Sequence, residues 1–176
     1  MFEELRLKYA HFLIKRKYLR KSDEPIAFKR AISAAKDILV ILPSPETDFS
    51  ASLEVVKYLQ IHKKDVTLFI SEFRHEAIRT NQEFKLLSYH PTQISWFFLP
   101  DKKLITRLTT KRFDAVIDLN RQEDTFFSCI ANAVQSGMRV GFRKNRSSEY
   151  YNLLYESKQS EPAAAYSKFL EHLSMF

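Results

Sequence analysis

The sequence contains only two glycines among its 176 residues. Dinucleotide-binding and P-loop motifs each need several glycines, because the backbone must closely approach a phosphate. The decapeptide ILPSPETDFS (41–50), which links a short apolar run to a run with helical spacing, contains no glycine at all. We therefore expect no bound cofactor.

Cysteine is almost absent as well. The single Cys129 cannot form an intramolecular disulfide, and such cysteine usage fits a reducing compartment. The five histidines are scattered, and no Cys/His cluster has zinc-site spacing, so we expect no metal. No apolar run approaches the roughly 18–20 residues that span a bilayer, and the N-terminus lacks the features of a secretory signal. We expect a cytoplasmic protein, with peripheral attachment to the inner membrane surface as an open alternative.

Acidic residues are outnumbered, and the formal net charge is +7. Most of this excess lies in residues 1–30, which hold nine basic and four acidic side chains. The apolar spacing of residues 1–21 is helical. The sequence therefore predicts a basic N-terminal helical segment over 1–24, followed by one domain over 25–176.

The basic segment has several interpretations. It can be a helix packed on the domain with a solvated basic face, or a site for a protein partner. It can also contact an anionic membrane surface or the phosphates of RNA, including a ribosome. The residues predicted to make membrane or nucleic-acid contacts are Lys15, Arg16, Lys17, Arg20 and Lys21.

From residue 25 onward, short apolar runs alternate with segments of helical spacing. Strands are predicted over 38–42, 66–70, 94–99, 114–119 and 138–142, and helices over 25–36, 49–62, 73–79, 102–111, 122–135 and 162–174. This alternation predicts right-handed crossovers, hence a parallel sheet with helices on both faces. We expect a single Rossmann-like α/β domain of about five parallel strands in the order 3-2-1-4-5.

In such a sheet, ligands bind beyond the carboxyl ends of the strands, where the strand order reverses. Here the reversal falls between strands 38–42 and 114–119, so the loops 43–49 and 119–124 should meet there. The predicted ligand-binding residues are Ser44, Thr47, Asp118, Asn120, Arg121, Arg143 and Lys144. Arg121 can hold a carboxylate or phosphate in a forked bond, or it can contact neighbouring loops.

Several individual side chains have specific expected roles. Asp48 precedes an apolar helical run, where aspartate caps a helix and favours its dipole. Arg139, Arg143, Lys144 and Arg146 form a basic cluster that is typical of a solvated rim, with an anion site as the alternative. Trp96 and Cys129 are predicted to be core residues.

Three stretches resemble the heptosyltransferases, family 9 of the glycosyltransferases. ILVILPSPETDFSASL resembles that family's first strand, loop and helix, with Asp48 on its aspartate and Thr47 in place of its glycine. FDAVIDLNRQEDTFFSCIANAV resembles its aromatic-Asp-x-x-Ile-Asp-x-Gln-Gly segment, with Asn120 on the Gln and Arg121 on the Gly. MRVGFRKNRSSEYYNLLY is similar to its Arg-x-Gly-Phe stretch.

The resemblance implies the acceptor-side half of the two-domain GT-B architecture, without the half that mainly binds the donor. It also implies that Asp48 is the general base. In overall layout the chain is similar to a family of standalone proteins of unknown activity from the Bacteroidetes–Chlorobi lineages. Members of that family share a basic first helix, an Asp-x-x-Ile-Asp-Leu strand and a Lys/Arg-Val-Gly strand.

These observations leave three functions open. The first is a non-catalytic domain, derived from a glycosyltransferase half, that binds a ligand or a partner. The second is the acceptor-binding half of a heptosyltransferase-like enzyme whose donor domain is missing or on another chain. The third is a basic protein associated with RNA, a ribosome or a membrane surface. The expected partners are accordingly an anionic small molecule or sugar acceptor, an anionic surface, RNA or a protein.

Overall fold

The computed structural model describes residues 2–19, 31–78 and 84–175. Its elements, in chain order, are α1 (Phe2–Lys17), α2 (Ala31–Ala34), β1 (Asp37–Ile41), α3 (Glu46–Ile61), β2 (Asp65–Ser71), α4 (His75–Ile78), β3 (Lys85–Tyr89), α5 (Lys102–Leu108), β4 (Ala115–Asp118), α6 (Thr125–Ala133), β5 (Met138–Phe142), β6 (Leu153–Tyr155) and α7 (Pro162–Leu173). Short 3₁₀ turns cover Glu72–Arg74, Pro91–Gln93 and Ser147–Glu149.

Within the described residues, the strands form one parallel sheet in the order β3-β2-β1-β4-β5-β6. The predicted parallel α/β architecture and its 3-2-1-4-5 order are confirmed, with one further strand at the edge. β1, β4 and the interior of β2 are buried because helices cover both faces of the sheet. The extra strand, β6, has only three half-buried residues, which is too short for a recognisable apolar period.

The predicted third strand is wrong. Residues 94–99 form a tight turn closed by an antiparallel bridge between Ile94 and Pro100, and Phe98 has a left-handed backbone (φ 57°). The true third strand, β3, carries exposed Lys85 and Leu86 because it lies at the edge of the sheet. The aromatic run 96–98 is therefore not a buried strand, and Trp96 is exposed rather than a core residue.

Two apolar clusters cover the two faces of the sheet. α3 and α7 pack on one face, with Val55, Leu59 and Phe169 buried in the first cluster. α1, α5 and α6 cover the other face, where Ile14 of α1 is fully buried. Cys129 is buried there too, as predicted, and burial raises the pKa of its thiol to about 12.

The predicted helix over 25–36 falls largely outside the described residues, which include its short helical part α2. Arg20 and Lys21 also lie outside them. α1 is joined to the domain by the burial of Ala10, His11 and Ile14, whereas Lys15, Arg16 and Lys17 are exposed in its last turn.

Candidate functional site

The candidate site is a crevice at the carboxyl edge of the sheet, where the strand order reverses between β1 and β4. Ile41 and Asp118 are register partners at these two strand ends, so the loops that follow them start side by side. A cavity of about 210 Å³ lies between the loops. It is lined by Pro43, Ser44, Pro45, Asp48, Asn120, Arg121, Gln122, Glu123, Asp124 and Phe127.

α3 begins at the crevice and carries Asp48 in its first turn. The residue before the helix is Pro45, with extended φ −62° and ψ 136°, and no side chain caps the helix by a hydrogen bond. The predicted N-cap role of Asp48 is therefore wrong: Pro45 supplies the fixed φ of the start, and the helix begins at Glu46, three residues before the predicted start. Asp48 still favours the helix dipole, since the positive end lies within the first turn.

Asp48 is held by Arg121 in a two-pronged ion pair. Arg121 Nε donates to Oδ1 at 2.5 Å and Nη2 donates to Oδ2 at 3.3 Å. The Tyr166 hydroxyl lies 3.1 Å from Oδ1 and 2.7 Å from the carbonyl oxygen of Leu119. Both charged side chains are mostly buried. The forked edge of Arg121 that we expected to hold a ligand anion is thus used by a carboxylate of the same chain.

Arg121 makes a further contact on its other side. Its Nη1 donates to the carbonyl oxygen of Ser160 at 2.9 Å, just before α7. The hydrogen bond with Asp48 raises the pKa of Arg121, against the opposing effect of burial. One guanidinium therefore connects the α3 start, the loop after β4 and the approach to α7.

Three other predicted ligand residues form a buried network behind the cavity. Asp118 Oδ1 accepts hydrogen bonds from the Asn120 backbone N–H at 3.0 Å and from its side-chain amide at 2.7 Å. Oδ2 accepts from Lys144 Nζ at 2.8 Å and from the Tyr151 hydroxyl. Lys144 also donates to the carbonyl oxygen of Asn120 at 2.9 Å. Burial and the charge of Asp118 raise the pKa of Tyr151 well above its usual value.

This network fixes the loop after β4 to the loop after β5. Asp118 is fully buried and Lys144 nearly so, and the four hydrogen bonds account for both carboxylate oxygens. The described geometry therefore gives Asp118 and Lys144 a structural role. Asn120 belongs to the network and also lines the cavity.

The remaining predicted residues lie at the surface. Ser44 is exposed, lines the cavity, and accepts a hydrogen bond at its carbonyl oxygen from Arg74 Nη2 at 2.8 Å. Thr47 is exposed but is not part of the cavity wall. Arg143 is half exposed, with Nε 3.6 Å from Glu156.

The assignment of Arg139 and Lys144 to a solvated rim is wrong, because Arg139 is buried and the Lys144 side chain is nearly so. Arg139 donates to the carbonyl oxygens of Ala131 at 2.7 Å and Val134 at 3.1 Å. Ala131 lies in the last turn of α6 and Val134 directly follows that helix, where a cation is favoured by the helix dipole and by free acceptors. Close by, Ser147–Glu149 form a short 3₁₀ turn.

A second cavity, which sequence reasoning missed, adjoins the first through Glu123. Its volume is about 440 Å³, and it lies between α1 and the loops after β4 and β5. At its wall, His11 Nδ1 lies 2.5 Å from the Tyr150 hydroxyl. Burial and the Arg146 guanidinium lower the pKa of His11. The only available signal was the helical spacing of α1, which predicts an inward face but not its partner.

A third cavity, of about 240 Å³, lies next to the first one, on the other side of β1 from the second cavity. It is lined mainly by apolar side chains, including Phe49, Ile70 and Tyr89, and shares Pro43 and Ser44 with the first cavity. The carboxyl edge of the sheet is therefore grooved on both sides of the switch point.

The fold and this crevice define an α/β domain with a Rossmann-like parallel sheet. Residues 11–176 match a family of unknown function, DUF6913, and the chain belongs to that family. No curated protein matches the sequence. Over residues 2–19, 31–78 and 84–175, no His/Cys/Asp/Glu group suits a metal ion, and no helix is long and apolar enough to cross a membrane.

Proposed function

We propose that this chain is a non-catalytic binding domain whose cavity between β1 and β4 takes a small, hydroxyl-rich ligand such as a sugar. The observation that carries the proposal is the Asp48–Arg121 pair in the wall of that cavity. The cavity lies at the switch point, where open parallel sheets bind their ligands. Its volume of about 210 Å³ suits a ligand below drug size.

The charge of the wall supports a neutral ligand over an anion. Arg121 is neutralised by Asp48, and Lys144 is neutralised by Asp118. A paired carboxylate and guanidinium still offer acceptors and donors side by side, and a hydroxyl group uses both. Asp48 Oδ2 has one hydrogen bond among the described contacts, so it has capacity for a ligand hydroxyl.

The likeness to heptosyltransferases supports the same ligand class. The stretches that resemble the acceptor-side half of those enzymes supply β1 with the start of α3, and β4 with the following loop. These elements form the cavity. We infer descent from a sugar-acceptor domain in which the position of the general base now serves an internal ion pair.

The test is ligand-observed NMR with neutral monosaccharides, sugar phosphates and inorganic phosphate as probes. We expect saturation transfer to the neutral sugars, and its loss in Ser44→Trp, which fills the cavity. Thr47→Trp is the matched control, because Thr47 is exposed in the same turn but is not part of the wall. No transfer to any sugar, or equal loss in both variants, would refute the proposal.

The enzyme interpretation is the second candidate, because the Asp48 carboxylate lines the cavity. It requires Asp48 to accept a proton while Arg121 and Tyr166 contact the same carboxylate. If a separate chain supplies a donor domain, the completed enzyme should lose sugar transfer in Asp48→Asn. Unchanged transfer in that variant would eliminate the general-base role.

A further inference from the structure

The outer face of α1 carries an apolar stripe that the crevice does not use. Phe2, Leu5, Tyr9 and Phe12 recur at intervals of three and four residues, which places them on one side of a helix. They are 85%, 58%, 46% and 53% exposed. The opposite side of the helix is buried in the domain through Ala10 and Ile14.

Two aromatic residues from another part of the chain widen this stripe. Arg6 stacks its guanidinium 3.8 Å from the Trp96 ring centre and donates from Nε to the Trp96 carbonyl oxygen at 2.8 Å. Tyr9 lies 4.9 Å from Phe97, measured between ring centres. Trp96 remains 72% exposed beside the helix. The aromatic face consists of Phe2, Leu5, Tyr9, Phe12, Trp96 and Phe97.

The charged residues of α1 nearest the aromatic face are basic, and one of them, Lys15, also pairs with Glu149 at 3.1 Å. At about 100° per residue, Arg16 falls on the line of the stripe, whereas Lys8 and Lys15 fall roughly 80–100° to one side of it. Glu3 and Glu4 fall about 120–140° away, toward the rear of the helix. The face is therefore apolar at its centre and basic at its margin.

This arrangement favours an anionic lipid surface as the occupant. A second copy of the chain whose α1 packed parallel to the first would bring Lys8 and Arg16 close to their own counterparts, which like-charge repulsion opposes. RNA could stack on the rings, but Leu5 in the middle of the stripe has no place in a stacking platform. A bilayer interface accounts for both the apolar and the basic residues of this face. Trp, Tyr, Phe and Leu enter the headgroup boundary, while Lys and Arg contact anionic headgroups.

We propose that the aromatic face docks this domain on an anionic membrane surface, with α1 lying in the plane of the interface. In this proposal the contact is peripheral. The site differs from the proposed ligand cavity and does not depend on it.

The experiment is co-sedimentation of the full chain with vesicles of phosphatidylcholine, alone or with about a third phosphatidylglycerol. We expect binding to the anionic vesicles only, weakened by added salt because screening reduces the headgroup attraction. Phe2→Ser/Leu5→Ser/Phe12→Ser should weaken partitioning by at least about tenfold. Lys8→Gln/Arg16→Gln should weaken it about fivefold for each charge removed.

The matched control is Ile61→Ser, which removes a 77% exposed apolar side chain at the end of α3. It should bind vesicles like the unmodified chain, and thermal melts should show that every variant is folded. Unaltered vesicle binding by the triple variant would overturn the proposal. The proposal would also be overturned if the unmodified chain did not bind vesicles and light scattering showed that it forms a dimer which the triple variant does not form. A third result would overturn it as well: the unmodified chain binds RNA but not vesicles, and RNA binding depends on the basic residues and not on the apolar ones.

Discussion

Arg121 and Asp48 are 73 positions apart in the chain, yet Nε of the first lies 2.5 Å from Oδ1 of the second. The pair joins the first turn of α3 to the loop after β4, on opposite sides of the switch point. A third contact, to the carbonyl oxygen of Ser160, extends the link toward α7. The wall of the candidate cavity is therefore also a structural connection. Removing the pair should lower the free energy of unfolding by a measurable amount.

Arg121→Ala should lower the free energy of unfolding by about 2 kcal/mol, because it leaves the mostly buried Asp48 carboxylate without its cation. Chemical denaturation monitored by circular dichroism measures this change. Arg143→Ala is the control: that side chain is half exposed, and its pair with Glu156 should contribute no more than about 0.5 kcal/mol. Equal effects of the two substitutions would contradict the structural role of the Asp48–Arg121 pair.

Lys144→Met should cost about 3 kcal/mol, since it keeps the bulk of the side chain but leaves the buried Asp118 carboxylate uncompensated. Urea titration of the unfolding transition gives the value. Lys57→Met removes an exposed pair with Glu54 on α3 and should change stability by less than about 0.5 kcal/mol. A Lys144 variant as stable as the Lys57 variant would show that the network behind the cavity contributes little.

Gly141→Ala should destabilise the fold by about 1–3 kcal/mol through overpacking. A Cβ at this position would lie 3.1 Å from the Tyr151 ring. That ring cannot easily move, because it is buried and its hydroxyl donates to Asp118. Gly137→Ala is a close control, since a Cβ there meets no atom within 4 Å and should leave stability nearly unchanged. Melting temperatures of the two variants test this prediction. An unchanged melting temperature for Gly141→Ala would contradict the packing of Gly141 against Tyr151.

His11 should make stability depend on pH. Burial and Arg146 lower its pKa in the folded chain, against a raising effect of Glu149, whereas the unfolded chain keeps a value near 6.5. Below about pH 6.5 the unfolded chain binds the proton more readily, so protonation favours unfolding and this stability is lost as pH falls. Unfolding free energies at pH 7.5 and about 5.5 should therefore differ more for the unmodified chain than for His11→Gln. The same difference in both chains would mean that His11 does not titrate as described.

Most of the sheet was predictable from local pattern. β1, β2, β4 and β5 are short apolar runs between segments of helical spacing, and burial on both faces requires such runs. The third strand was misplaced because ISWFFL (94–99) is richer in β-forming aromatic residues than the half-exposed edge strand KLLSY (85–89). An edge strand is less buried than a central one, so its composition is less apolar and predicts a strand less clearly.

The location of the crevice followed from strand order, but the role of each side chain did not. Strand and helix patterns depend on neighbours a few residues apart, so the sequence alone specified the parallel sheet and the loops at its switch point. Longer-range contacts decide the role of each side chain. They determine whether Arg121 faces a ligand or Asp48, and whether Arg139 lies at a rim or against the last turn of α6. Hydrogen bonds and ion pairs require groups within about 3 Å, and side chains 26 or 73 residues apart approach that closely only after the sheet has assembled.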